Sequence, residues 1–288
     1  MSDGDGLARA REAARDWPGR PELMLADRLP SGAEATLVRV VDARGRRFVL
    51  KLGSPGRIAE ELMALQALRG PAVVRVEDAW VEAGALLLED VRPGLPLMAE
   101  RDETIARVRF TAALRRLGGH GPAGRFPSVA EWCAASVVFH DRLRQSHDVR
   151  AAIIGRWHAT AEKLLDTAPA RALLHGDLHD GNLLKRDGNG YVAIDPKGVV
   201  GEAAYEPACF LMNRWRNRPD LSGPSMVQEA AALAADLGLR PGRVLGWAGS
   251  HTALSLGWSW EDDGDVPGAS DPRWRILSRL EEGGSPEF

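Results

Sequence analysis

The residues best suited to chemistry fall in one short run, His175-Gly176-Asp177-Leu178-His179-Asp180-Gly181-Asn182, with Asp195 thirteen positions beyond Asn182. Asp177 can accept a proton from a substrate hydroxyl. Asn182 and Asp195 offer hard oxygen ligands of the kind magnesium takes, a few protein oxygens completed by phosphate. Phosphoryl transfer asks little more of a protein than this positioning and charge neutralisation. His175, Asp177 and His179, at alternate positions, would also suit a zinc hydrolase, but that reading leaves Asn182, Asp195 and the upstream residues without a role. His175 reads instead as a brace for the loop.

Upstream, Phe48-Val49-Leu50-Lys51-Leu52 sets a lysine in an apolar strand, where it is costly unless paired. It is one of four lysines among 37 basic residues. Glu61, ten residues on and beside Glu60, is the expected partner, and the pair would hold the ammonium towards the α- and β-phosphates of a nucleotide. Ser31 and Gly32, in Leu29-Pro30-Ser31-Gly32-Ala33, open a loop whose backbone N–H groups can cover those phosphates.

These residues need a frame. The pattern predicts strands at Leu23–Leu29, Ala35–Val41, Arg47–Leu52, Val73–Val81 and Ala85–Glu89, with a helix at Ile58–Leu68 whose apolar residues recur at three and four. A hinge is expected at Arg92-Pro93-Gly94. Helices are then expected at Met98–Leu117, Val129–Leu143, Ala151–Leu165, Ala203–Trp215, Met226–Leu237, Val244–Trp260 and Arg273–Leu280. A stretch of strand and turn, Ala172–Asp195, interrupts them, with a hairpin at Asp187-Gly188-Asn189-Gly190. The division is into residues 1–92, a small nucleotide-binding lobe, and 93–288, a larger catalytic and acceptor-binding lobe.

Composition narrows the function. With 44% hydrophobic and 27% charged residues the chain can bury a core. A formal charge of -3 and a pI near 6.2 speak against a nucleic-acid partner. No apolar run is long enough to span a membrane. Two cysteines, Cys133 and Cys209, are too few for a disulfide framework and suit a reducing cytoplasm.

Leu173–Leu184 (LLHGDLHDGNLL), Ala193–Glu202 (AIDPKGVVGE) and Phe48–Leu52 (FVLKL) together resemble the aminoglycoside phosphotransferase family, and within it the streptomycin 6-phosphotransferase and hydroxyurea phosphotransferase group. The likeness runs from about Asp27 to Trp260. It implies an α+β, protein-kinase-like two-lobe fold, with a small five-stranded antiparallel sheet lobe carrying one helix and a larger, mainly helical lobe. It also implies an ATP- and Mg2+-dependent kinase, expected as a monomer, with a cationic aminoglycoside as acceptor. Asp177 then stands as the base, Asn182 and Asp195 as magnesium ligands, and Lys51 with Glu61 as the phosphate clamp. The strand end at Glu89 and Val91 would meet adenine through its backbone. The full Gly-x-Gly-x-x-Gly loop is missing, and Asp180 stands where His or Pro is common. Asp180, Lys197 and Glu202 are assigned to the acceptor. Lys197 either reaches phosphate or substrate or bridges to Glu202.

Trp258-Ser259-Trp260-Glu261-Asp262-Asp263-Gly264-Asp265 carries four acids after two tryptophans. It reads either as a solvated helix end or as a wall for cationic amines and guanidines, with Trp258 adding cation–π contact and Glu261, Asp262 and Asp263 adding charge. Ser255–Glu282 holds seven acids against three arginines, whereas the residues up to Pro96 hold fifteen acids and fourteen bases. The imbalance lies in the lobe expected to take the acceptor. Trp132, Trp157, Met212 and Trp247 read as core.

Overall fold

Alternation of apolar residues makes the first third of the chain a sheet. In the computed structural model, which describes residues 3–19, 23–30, 35–68, 70–117, 126–188 and 190–283, five strands form: β1 (Met24–Leu29), β2 (Thr36–Val41), β3 (Arg47–Leu52), β4 (Val76–Trp80) and β5 (Ala85–Glu89). They pair antiparallel in the order β1-β2-β3-β5-β4. Phe48, Leu50 and Leu52 of β3 pack on one face with Val38, Val40 and Leu87. Period two therefore commits Val49 and Lys51 to the other face, which is covered by α2 (Pro55–Ala67).

A helix that the pattern did not predict, α1 (Asp3–Arg15), covers the first face. It buries Ala10, Ala13 and Ala14, with Trp17 just beyond its end. An apolar stripe made mostly of alanine among charged residues gives little periodic signal. The expected hinge also differs. Pro93–Pro96 is a strand, β6, paired with β8 (Leu183–Arg186), which pairs in turn with β9 (Gly190–Ala193). An edge position tolerates its two prolines, which have no N–H to donate. β7 (Ala172–Leu174) pairs with β10 (Val199–Gly201). The β8–β9 turn falls where expected, though Asn189 lies outside the described residues.

The helices are α3 (Glu103–Leu114), α4 (Val129–Gln145), α5 (Ala151–Asp166), α6 (Glu206–Arg216), α7 (Gly223–Leu237), α8 (Pro241–Asp263) and α9 (Pro272–Glu282). α3 begins five residues later than its apolar pattern because Asp102 caps it, accepting from the Ile105 amide at 2.9 Å. α8 is the axis, touching α4, α5, α6, α7 and α9. A Cβ at Gly249 would lie 2.2 Å from the Trp157 ring, so only glycine lets α5 approach α8 this closely. One core runs from α2 and the sheet through to α9, and a second lies between the sheet and α1. Among the described residues no helix is long and apolar enough to cross a membrane.

A buried ion pair fastens the start of α8. Glu202 takes Arg243 Nε and Nη2 at 2.7 and 2.6 Å and also accepts from Trp247 Nε1. Arg243 donates further to the Leu164 carbonyl and Thr167 Oγ1. Removing one partner of such a pair leaves an uncompensated buried charge. Glu202→Ala is therefore expected to lower unfolding free energy by about 3–5 kcal/mol in denaturant melts, and adding Arg243→Met should restore most of it. A single-variant loss below about 1 kcal/mol, the range of an exposed pair, would deny Glu202 this anchoring role.

Candidate active site

Lys51 leaves β3 with its side chain 11% exposed and reaches two carboxylates. Glu61 Oε2 of α2 and Asp195 Oδ1, beyond β9, each lie 2.7 Å from its Nζ. Asp195 holds a left-handed backbone, φ 58°, a conformation that costs a non-glycine residue roughly 1–2 kcal/mol. Its second oxygen is 3.3 Å from Lys197 Nζ. Burial opposes the Lys51 charge, but the two carboxylates outweigh it and hold its pKa above the ordinary lysine value. Burial also works against the Asp195 charge, and here the two lysines prevail and hold its carboxyl below the usual range. Glu61 contacts Lys51 alone of the two and has an Oε1 with no hydrogen-bond partner, and burial, with the Asp195 charge, pushes its pKa up against the pull of both lysines.

The loop from β7 to β8 is pinned at nearly every peptide. His175 Nε2 donates to the Ile194 carbonyl at 3.0 Å, and its Nδ1 accepts from the Asp177 amide at 3.3 Å. Burial drives its pKa down to about 3, so the ring is neutral and serves as the expected brace. The Gly176 amide donates to Glu206 Oε1 at 2.8 Å, from the first turn of α6. Gly176 sits at φ 84°, and a Cβ there would lie 2.8 Å from the Trp132 ring. Asn182 Nδ2 donates to the Asp177 carbonyl at 2.9 Å, so its Oδ1 is the end that can serve a metal. The backbone links Asn182 to the residue before Asp195, the Ile194 amide donating to the Asn182 carbonyl at 3.0 Å. Asp177, Asn182 and Asp195 thus form one hydrogen-bonded unit. Burial, with the Asp195 charge behind it, raises the Asp177 pKa against the pull of His179 and Lys197. A half-buried carboxylate of raised basicity suits proton acceptance.

Other expected residues lie elsewhere. Glu202 does not face an acceptor. It is enclosed by Arg243 and Trp247, so the Lys197–Glu202 bridge does not form and Lys197 turns to Asp195. Asp180 is buried with Oδ2 3.2 Å from Arg214 Nη1, a partner inside the fold instead of a group presented to substrate. Its neighbour Arg214 also holds Glu103 of α3. The Glu89 amide donates to the Arg75 carbonyl, and its carboxylate takes Arg75 and Arg186. Only its carbonyl and the backbone around the buried Val91 remain as hinge groups for a nucleotide base. Ser31 and Gly32 lie outside the described residues. Glu261, Asp262 and Asp263 are exposed on the last turn of α8.

Sequence reasoning missed Glu206, and it read Trp132 as core, against which the ring does pack. Trp132 is partly exposed, lies against Gly176 and meets Trp258 edge-to-face at 5.5 Å between ring centroids. Trp258 is thereby joined to the Asp177 loop. Glu261 and Asp262 follow it at three and four residues, on the same helix face, while Asp263 turns away.

The sequence matches the family described as aminoglycoside/hydroxyurea antibiotic resistance kinase over residues 23–264. It is 28% identical over 240 residues to streptomycin 6-kinase of Streptomyces griseus, covering 81% of this chain and 77% of that protein. It is 30% identical over 279 residues to hydroxyurea phosphotransferase of Kitasatospora aureofaciens, covering 89% and 77%. Among solved structures, a thermostable mutant of aminoglycoside phosphotransferase APH(4)-Ia in ternary complex with AMP-PNP and hygromycin B is similar at a TM-score of 0.62 and 19% identity, over 94% of this chain and 96% of that one. That likeness shows the fold, which is protein-kinase-like.

Glu206 supplies a test of the loop's electrostatics. Burial raises its pKa to about 7 against the amides that donate to it. Its Oε2 has no partner, less costly for a neutral carboxyl than for a carboxylate. A folded value above the ordinary 4.5 means a proton taken up on folding between those values. The associated stability is present below that window and lost as pH rises through it. His175 and His251, lowered by burial to about 3 and about 4 from 6.5, act in the opposite sense, so stability rises with pH across their window. Glu206→Gln keeps an acceptor for Gly176 and removes the opposing proton. Between about pH 5 and 6.5 its unfolding free energy should climb more steeply than wild type by about 1.4 kcal/mol per pH unit. Equal slopes in denaturant melts would mean that Glu206 is ionised in the folded protein.

Proposed function

The chain belongs to the aminoglycoside/hydroxyurea antibiotic resistance kinase family, and on that premise we propose that it transfers the γ-phosphoryl group of ATP to a hydroxyl of an aminoglycoside of the streptomycin type. One observation carries the reading: Lys51 is held by Glu61 and Asp195 while the Asp177–Asn182 loop is hydrogen-bonded to the same Asp195 segment. Phosphate clamp, base and metal ligands are therefore assembled in one place. The small lobe, residues 1–92, binds the nucleotide through Lys51 and the backbone near Glu89 and Val91. The larger lobe, 93–288, binds the acceptor.

The donor set fits magnesium. Asn182 Oδ1 and the Asp195 carboxylate are hard oxygens on linked backbone, and magnesium bound there with the phosphates would neutralise their charge. Asp177 takes the acceptor's hydroxyl proton as that oxygen bonds to the γ-phosphorus, and the bond from phosphorus to the β,γ-bridging oxygen breaks to release ADP. Lys51, kept cationic by its two partners, holds the α- and β-phosphates. The Trp132–Trp258 pair beside Gly176, with Glu261 and Asp262 one turn beyond, supports a cationic acceptor.

Nucleotide turnover against a panel of aminoglycosides, hydroxyurea and small hydroxylated amines tests the reading. Turnover by hydroxyurea alone would favour a hydroxylamine kinase, and nucleotide binding without turnover would indicate a pseudokinase. Asp177→Asn is expected to bind ATP normally and lose about 10²–10⁴ in kcat, the usual worth of a positioned base. Lys51→Ala should instead raise the ATP KM and lower kcat. Wild-type kinetics in either variant would remove that residue from the mechanism.

The acceptor side yields a separate expectation. Glu261→Gln with Asp262→Asn should raise the acceptor KM and leave the ATP KM unchanged, the effect shrinking with added salt. Asp263→Asn alone should do nothing. Each exposed charge is worth only about 0.2–1 kcal/mol, so the pair is changed together. Normal acceptor kinetics in the double variant at low salt would reduce these acids to a solvated helix end.

A further inference from the structure

Three buried side chains lie directly behind the loop. Tyr205, Cys209 and His251 are each at most 3% exposed. The Tyr205 hydroxyl is 2.9 Å from His251 Nδ1, Cys209 Sγ lies 3.3 Å from Nε2 and 4.0 Å from Nδ1 of the same ring, and Cys209 Sγ is 3.7 Å from the Gly176 carbonyl oxygen. Indole rings enclose the group: Trp247 lies 5.2 Å from Tyr205 and Trp258 5.9 Å from His251, centroid to centroid. Away from water, each polar group depends on its neighbours for hydrogen bonds.

The chain has a direction. His251 is neutral, because burial holds its pKa near 4, so one ring nitrogen donates and the other accepts. The carbonyl of Gly176 can only accept. Sγ lies 3.3 Å from Nε2 and 4.0 Å from Nδ1 of His251, beside the ring and out of line with an Nε2–H, so the ring backs the thiol and leaves its proton for the Gly176 carbonyl, while Nδ1 accepts from the tyrosine hydroxyl.

That carbonyl belongs to the peptide joining Gly176 to Asp177. The same peptide's N–H is held by His175 Nδ1, and the preceding N–H by Glu206. We propose that Tyr205, His251 and Cys209 are positioning residues that fix the Gly176–Asp177 peptide from behind and so set the direction in which the Asp177 carboxylate points. None of them touches substrate. The proposal rests on Asp177 acting as the base in phosphoryl transfer, where a displacement of about 1 Å can cost 10²-fold.

Cys209→Ala removes the donor and keeps the Glu206 and His175 contacts. It is expected to lower kcat about tenfold, a loss on the scale of partial misplacement, with the KM for ATP unchanged. Cys209→Ser, whose hydroxyl donates to the same carbonyl, should recover most of the loss. His251→Ala, which removes the ring behind the thiol, should reproduce the loss with Cys209 intact, and the double variant Cys209→Ala/His251→Ala should be no worse than either single one. Rates are referred to folded enzyme, titrated by nucleotide-analogue binding. A Cys209→Ala enzyme with wild-type kcat, or a serine variant as slow as the alanine one, overturns the proposal. Nitrogen-15 NMR of histidine-labelled wild type reads the tyrosine–histidine contact without catalysis. Protonated Nε2 and bare Nδ1 on His251 are expected, and the opposite tautomer refutes the tyrosine's donation to the ring. Should wild type transfer no phosphoryl group to any acceptor, the functional reading fails while the NMR result still decides that contact.

Discussion

A buried ammonium survives only if carboxylates come to it, and in this fold Lys51 draws two of them from opposite directions. Period two in β3 turns the side chain away from the α1 core, α2 delivers Glu61 across the same face, and the segment after β9 delivers Asp195. None of the three is independent. Without the cation, Glu61 and Asp195 would be two buried negative charges in one site, and the strained φ of Asp195 would have less to hold it. The ion triad is thus the point at which the sheet, α2 and the segment after β9 are brought into register.

Behind that front the groups are neutral. His175 cannot charge without giving up the Asp177 amide, Glu206 is raised towards neutrality by burial, and the thiol of Cys209 and the phenol of Tyr205 are both pushed well up. Burial is the largest cause in each case. A layer without formal charge suits this position, since a fixed cation there would compete with Lys51 and Lys197 for Asp195 at low dielectric. Charge is gathered in front, in Lys51, Glu61, Lys197 and Asp195. Asp177 lies at the boundary, half-buried, with its basicity raised chiefly by burial.

The front was legible in the sequence and the back was not. Lys51 announced itself by standing in an apolar strand, and the spacing of Asp177, Asn182 and Asp195 follows from one loop and one short hairpin. Glu206, Cys209 and His251 carry no local pattern, because their roles depend on α6 and α8 meeting beneath the loop, which no periodicity encodes. α1 was hidden for a related reason, its buried face being mostly alanine. Glu202 and Asp180 misled in the other direction. An acid beside a catalytic motif reads as facing substrate, yet each is matched by a distant arginine, Arg243 and Arg214, and both pairs are sealed inside. With 33 arginines in the chain, such partners are abundant and sequence separation says nothing about which acid will find one.

The same accounting sharpens the acidic excess near the C-terminus. Seven acids and three arginines between Ser255 and Glu282 suggest a diffuse negative field. The pairs remove much of it: Asp271 is spent on Arg273, Glu281 on Arg156 and Glu282 on Arg279. Among the described residues, no ion pair engages Glu261, Asp262, Asp263 or Asp265. The unspent charge is therefore concentrated where α8 ends. The helix carries it three residues past Trp260, the expected end, and the left-handed Gly264 stops it there. Within that turn, helical geometry selects again, since Glu261 and Asp262 share the face of Trp258 and Asp263 does not. Through Trp258 and Trp132 that face continues to Gly176, beside Asp177. A field that seemed spread over a lobe reduces to two carboxylates on the helix face of Trp258, an indole that meets Trp132 at the Asp177 loop.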